Sequence, residues 1–105
     1  MALDPGTVHR FTMLERAVRS LATQTRFEDA LKLLEEMFSI APEDPGLSKL
    51  KVRFAADLIK RAAQAQKISA ATSIVQLVDS KVPASHLGAQ EKELLDRAKT
   101  DLFSL

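Results

Sequence analysis

Residues 47–67 read LSKLKVRFAADLIKRAAQAQK, and the rest of the chain is organised around them. At about 100° per residue, Leu50, Phe54, Leu58, Ala62, Ala55 and Ile59 spread over roughly 180° of a helix, more than one packing partner covers. The stretch is therefore a helix covered on two sides. On its remaining face Lys49, Arg53, Lys60 and Lys67 recur at near-whole turns, which aligns them in a straight basic stripe about 27 Å long. Arg61 and Lys51 lie off that line.

Composition sets the frame. A chain of 105 residues matches one domain, and 46% apolar with 28% charged residues is ordinary globular usage that excludes disorder and collagen-like repeats. The aromatics are 5 Phe, Gly and Pro number only 3 and 4, and Ala, Leu, Lys and Glu recur throughout, which favours an all-α fold. Fifteen basic residues against 14 acidic ones leave a net charge of +1, so local patches must carry any attraction to a charged partner. The absence of cysteine removes disulfides, thiolate metal sites and cysteine nucleophiles, and fits a reducing compartment. No apolar run reaches the roughly 18 residues of a membrane span, and Met1 to Thr12 has no signal-peptide pattern. A soluble, cytoplasmic protein is expected.

Outward from the central helix, Pro42, Asp44, Pro45 and Gly46 break the pattern before it, and Gly46 or Ser48 caps its start. The preceding helix, Phe27 to Ala41, has Glu28 and Asp29 in its first turn, where carboxylates complement the helix dipole. Thr25 and Arg26 allow only a tight turn to an antiparallel first helix, Val8 to Gln24. Its apolar side holds Phe11, Leu14, Ala17, Val18 and Leu21, with Arg16 and Arg19 on the other side, and Thr7 is its cap. Asp4-Pro5-Gly6 reads as a loose entry. On the C-terminal side, Ile68 to Val82 lacks strand alternation and reads as a helix. Pro83 to Gly88 is a linker, and Ala89 to Leu102 has a narrow apolar face of Leu94, Leu95, Ala98 and Leu102 that suits the end of a stack. The expected organisation is one domain, 1–105: a loose segment 1–6, helix pairs 7–42 and 46–83, and a terminal capping helix 87–105.

The chain also matches itself. Phe27, Ala30, Leu34, Met37 and Pro42 correspond to Ile68, Ala71, Val75, Val78 and Pro83, each displaced by 41, and the offset carries Val18 to Ile59 and Ala22 to Ala63. Each unit places a small residue, Ala30 or Ala71, where two helices cross closely, and ends on a proline. This pattern resembles the tetratricopeptide repeat family, over residues 11 to 83. The chain departs from that family in its longer repeat and in lacking the Gly and aromatic of the first helix. The resemblance implies a right-handed array of antiparallel helix pairs that binds protein or peptide on a concave surface lined by the first helix of each pair. A plain bundle of five helices is the other architecture this pattern allows.

For chemistry the chain offers little. His9 and His86 lie near segment ends without paired acids, Glu35 and Glu36 diverge by about 100°, and there is no phosphate loop or metal motif, so no enzymatic reaction, metal or cofactor is expected. Six cations and one anion between Leu47 and Lys67 face six anions and one lysine between Phe27 and Asp44. Either the two helices neutralise each other along their solvent edges, or the stripe of Lys49, Arg53, Lys60 and Lys67, with Arg61 nearby, meets an acidic partner helix or peptide. Leu102, Phe103 and Leu105 form an apolar tail that tucks back or meets a second copy. The expected role is a non-enzymatic protein-interaction module or adaptor. The alternatives are a small bundle for self-association or assembly, and weak nucleic-acid binding, which so few phosphate contacts and no exposed aromatic disfavour.

Overall fold

The triplet Asp-Pro-Gly occurs twice, and each copy starts a helix. In the computed structural model, which describes residues 3–104, α1 is Pro5–Thr23 and α3 is Pro45–Gln64. Asp4 accepts the Thr7 amide at 2.8 Å and Asp44 accepts the Leu47 amide at 2.8 Å, while proline, which has no amide to satisfy, opens each first turn. Gly46 makes room for this cap, since a Cβ there would stand 3.3 Å from the Asp44 carboxylate. The entry segment is thus capped helix rather than loose chain from Asp4 onward. Thr7 donates to the cap instead of forming it, and Ser48 turns inward.

The partner helices are α2, Phe27–Phe38, and α4, Ile68–Lys81; a 3-10 turn at Ala84–His86 leads to α5, Ala89–Phe103. The turns into α2 and α4 have one geometry. Thr25 and Gln66 sit at φ 58° and 64°, and the next amides, of Arg26 and Lys67, donate back to Leu21 at 2.9 Å and Ala62 at 2.8 Å. This six-to-one closure normally uses glycine at the left-handed position. The chain therefore reverses after Thr25 and after Gln66, with Ala30 and Ala71 both buried.

α2 stops three residues earlier than its pattern indicates. Ala41 precedes Pro42, which disfavours helix there, and takes φ 42°, so Ile40 turns into the core. That leaves the carbonyls of Phe38 and Ile40 facing inward. Lys51 of α3 reaches them at 3.1 and 2.6 Å, with its ammonium 6.0 Å from the Phe38 ring centre. Lys51 is only 1% exposed, and burial pushes its pKa below the usual lysine value against the opposing pull of Asp44. It joins the end of one helix pair to the middle of the next.

α3 is the core of the molecule. It packs on α4 and α5 and lightly on α1, burying Leu47, Val52, Phe54, Ala55, Leu58, Ile59, Ala62 and Ala63 over about 200° of its circumference. Leu50 is a correction to the apolar arc: it is 51% exposed, at the edge beside α1. α1 packs on α2 and α2 on α4, which makes two layers, α1–α3–α5 and α2–α4. The smallest extent, 18 Å, matches two helix layers rather than three. α5 buries one side through Leu95, Ala98 and Leu102.

Two stability measurements test these joints. Lys51→Met leaves two buried carbonyls without a donor and lowers stability by about 1–3 kcal/mol, read as a lower urea midpoint at unchanged slope. Thr25→Gly relieves a β-branched residue of its left-handed conformation and raises stability by about 1 kcal/mol.

Candidate protein-binding face

Because so much of α3 is covered, the side chains left on its open arc are held in fixed directions. Along that arc lie Lys49, Lys60, Arg53, Gln64, Asp57, Leu50 and Arg61, in angular order from the α5 edge to the α1 edge. The arc faces away from the α2–α4 layer. Three of the cations read on or beside the stripe are not free members of it. Lys67 does not extend the stripe: α3 ends at Gln64, the Gln66 turn redirects the backbone, and Lys67 becomes the residue before α4. Arg61 pairs with Asp57 one turn earlier at 3.0 Å. Lys51 is inside.

Arg53 is engaged with α5. Its Nε and Nη2 donate to Glu91 Oε2 at 3.1 and 2.8 Å, and Nη2 also reaches Oε1 of the Gln90 side chain at 3.5 Å. Glu91 is 3% exposed and accepts the Gly88 amide at 3.1 Å, so one carboxylate both caps α5 and ties it to α3. The Arg53 hydrogen bonds hold its pKa below the usual carboxylate value, with smaller help from the Gly88 amide and the charges of Arg53 and Lys49, against the upward effect of burial. Nearby, buried Ser48 and half-buried His86 meet at 2.9 Å, Oγ to Nδ1, so His86 is an interior joint rather than a surface residue. His9 is exposed.

On the other side of α3, Arg19 of α1 places its guanidinium 4.9 Å from the centre of the Phe54 ring and lies 3.5 Å from Glu15. Arg16, one turn earlier, is exposed and in no ion pair among the described residues. It joins Lys49 and Lys60, which are likewise unpaired, on the α1–α3–α5 side. Sequence periodicity puts Arg16 and Arg19 opposite the apolar side of α1, but does not say that this side borders α3.

The anions of the acidic helix that are paired find their partners elsewhere than in α3. Asp29 pairs with Arg26 at 2.7 Å and Glu36 with Arg10 at 2.9 Å, Asp44 caps α3, and no ion pair among the described residues joins α2 to α3. Of the expected self-association residues, Leu102 is buried, Phe103 is 69% exposed, and Leu105 lies outside the described residues. Among the described residues no group of three potential ligands could hold a metal ion, and no helix is long and apolar enough to cross a membrane.

No family model, curated protein or solved structure matches this chain.

The Arg53–Glu91 joint makes stability pH-dependent. A carboxylate whose folded pKa lies below its unfolded one stabilises the fold above the unfolded value, near 4.5, and loses that contribution as pH falls through the lower folded value. Between about pH 6 and about pH 3 the urea midpoint of Glu91→Gln falls less than that of the parent, although the variant is less stable at neutral pH.

Proposed function

We propose that this protein is a non-enzymatic interaction module built as a tetratricopeptide-like, right-handed array of helix pairs, and that its α1–α3–α5 face receives an acidic helix or peptide of a partner. The observation that carries the reading is the set Arg16, Lys49 and Lys60, in no ion pair among the described residues, two of them on the open arc of a helix that is buried over about 200° of its circumference. A helix packed in this way cannot rotate to hide its cations, so the face that presents them is set by the fold, while their flexible side chains still lose rotamer freedom on pairing. Such a face speeds encounter with an acidic surface and disfavours basic ones more than it adds raw affinity.

The array itself is supported by the equivalent turns at Thr25 and Gln66, the two Asp-Pro-Gly caps, and the matching burial of Ala30 and Ala71. Helix-in-groove recognition follows from such an architecture, because a layer of side-by-side helices offers furrows of the width a partner helix needs.

The test uses a synthetic amphipathic helix with leucines on one side and glutamates on the other. The triple variant Arg16→Glu, Lys49→Glu, Lys60→Glu binds this probe at least about tenfold more weakly than the parent, a loss of about 1.4 kcal/mol. Arg53 is left intact because it holds α5. Equal binding by the triple variant, with unchanged circular dichroism, rejects the proposed face.

A further inference from the structure

The open face is not uniformly polar, and its apolar part has an unusual cover. Leu50 is 51% exposed and stands one turn before Phe54 on the edge of α3 toward α1. Phe54 is 5% exposed, and the group across its ring is the Arg19 guanidinium, itself half exposed on α1. α1 touches α3 lightly compared with the close packing of α5 on the opposite flank. The furrow between α1 and α3 is therefore sealed at this point by a half-exposed charged side chain resting on an aromatic ring. Val8, also half exposed, lies three turns before Arg19 on the same side of α1.

We propose that the furrow between α1 and α3 is the anchor site for the acidic partner helix, with Leu50 and Phe54 receiving one of its apolar side chains and Arg19 acting as a lid. In the free protein Arg19 lies over Phe54. On binding it leaves the ring and pairs with a carboxylate flanking the incoming leucine or phenylalanine, while Arg16 and Arg61 offer further cations along the same furrow. The charges that oppose this are Glu15 and Asp57, which already partner Arg19 and Arg61, and a ligand carboxylate competes with each of them. A half-exposed guanidinium over a ring is a weak hold that rearranges within nanoseconds, so the lid is no kinetic barrier. The occupant that fits is an amphipathic helix of another protein, apolar on one side and acidic on the other, because the furrow pairs an apolar floor with a basic rim.

This rests on the reading of the α1–α3–α5 face as the docking surface, and the experiment separates the two. The synthetic leucine–glutamate helix is titrated against the parent protein and Leu50→Glu, whose exposed position keeps the fold intact. A second probe carries alanine in place of leucine. For the parent, the alanine probe binds about tenfold more weakly than the leucine probe. For Leu50→Glu the two probes bind alike, and both match the alanine probe on the parent or fall below it. Arg19→Gln, which uncovers Phe54, raises the fluorescence of an apolar dye in the free protein. If the leucine probe is lost in the triple charge variant but is indifferent to Leu50→Glu and to its own leucines, the anchor is overturned and the charged face stands. Failure of the parent to bind either probe removes both. Light scattering on the same samples identifies a second copy as the occupant if mass doubles without probe and Leu50→Glu abolishes the doubling, and that result overturns the assignment to another protein.

Discussion

The fold depends on covering the central helix. The buried side of α3 spans about 200°, and a helix of that breadth needs several neighbours, since the contact between two helices covers a narrower stripe. α4 supplies one flank, α5 another and α1 a third. Every other feature is a consequence of bringing those three helices to it: the reversals at Thr25 and Gln66, the second layer of α2 and α4, and the short path through Ala84–His86 that returns the chain for α5.

Polar groups then settle which joints are rigid. Where α2 ends, two carbonyls point inward, and a buried carbonyl without a donor is costly. Lys51 answers them from the next helix pair. On the opposite side of α3, two residues on from Lys51, Arg53 donates to Glu91, which also caps α5, so the last helix is held by charge as well as by Leu95, Ala98 and Leu102. Among the described residues no such polar joint ties α1 to α3. That contact is light and is finished by a guanidinium on a ring, and it leaves Leu50 exposed on the side of α3 toward α1.

The charge pattern acquires a different meaning in three dimensions. Along the chain it is segregated, with anions around α2 and cations around α3. In space two anions of α2, Glu36 and Asp29, are met by Arg10 and Arg26, which precede it, and the cations of α3 are divided among a buried carbonyl clamp, an interhelical tie to Glu91, a local pair with Asp57 and two lysines in no ion pair among the described residues. What faces solvent is a smaller and more specific set than a stripe, and Arg16 of α1 belongs to it.

Helix number, the positions of the reversals and the buried alanines were legible in the amino-acid order alone, because apolar spacing, proline and short connections are local properties that survive any packing. Other outcomes were not, among them Asp4 rather than Thr7 as cap, the early end of α2, the burial of Lys51 and the loss of Lys67 from the stripe. The first is a choice between two competent caps separated by one turn. The others depend on where a helix end meets its neighbour, and a lysine reads as solvent-facing until orphaned carbonyls from another element lie within reach of its ammonium. Periodicity thus determined which side of each helix is apolar; the meeting of helix ends with neighbouring helices decided which charges stay free to bind, because a charge is committed or free only in relation to groups distant in sequence.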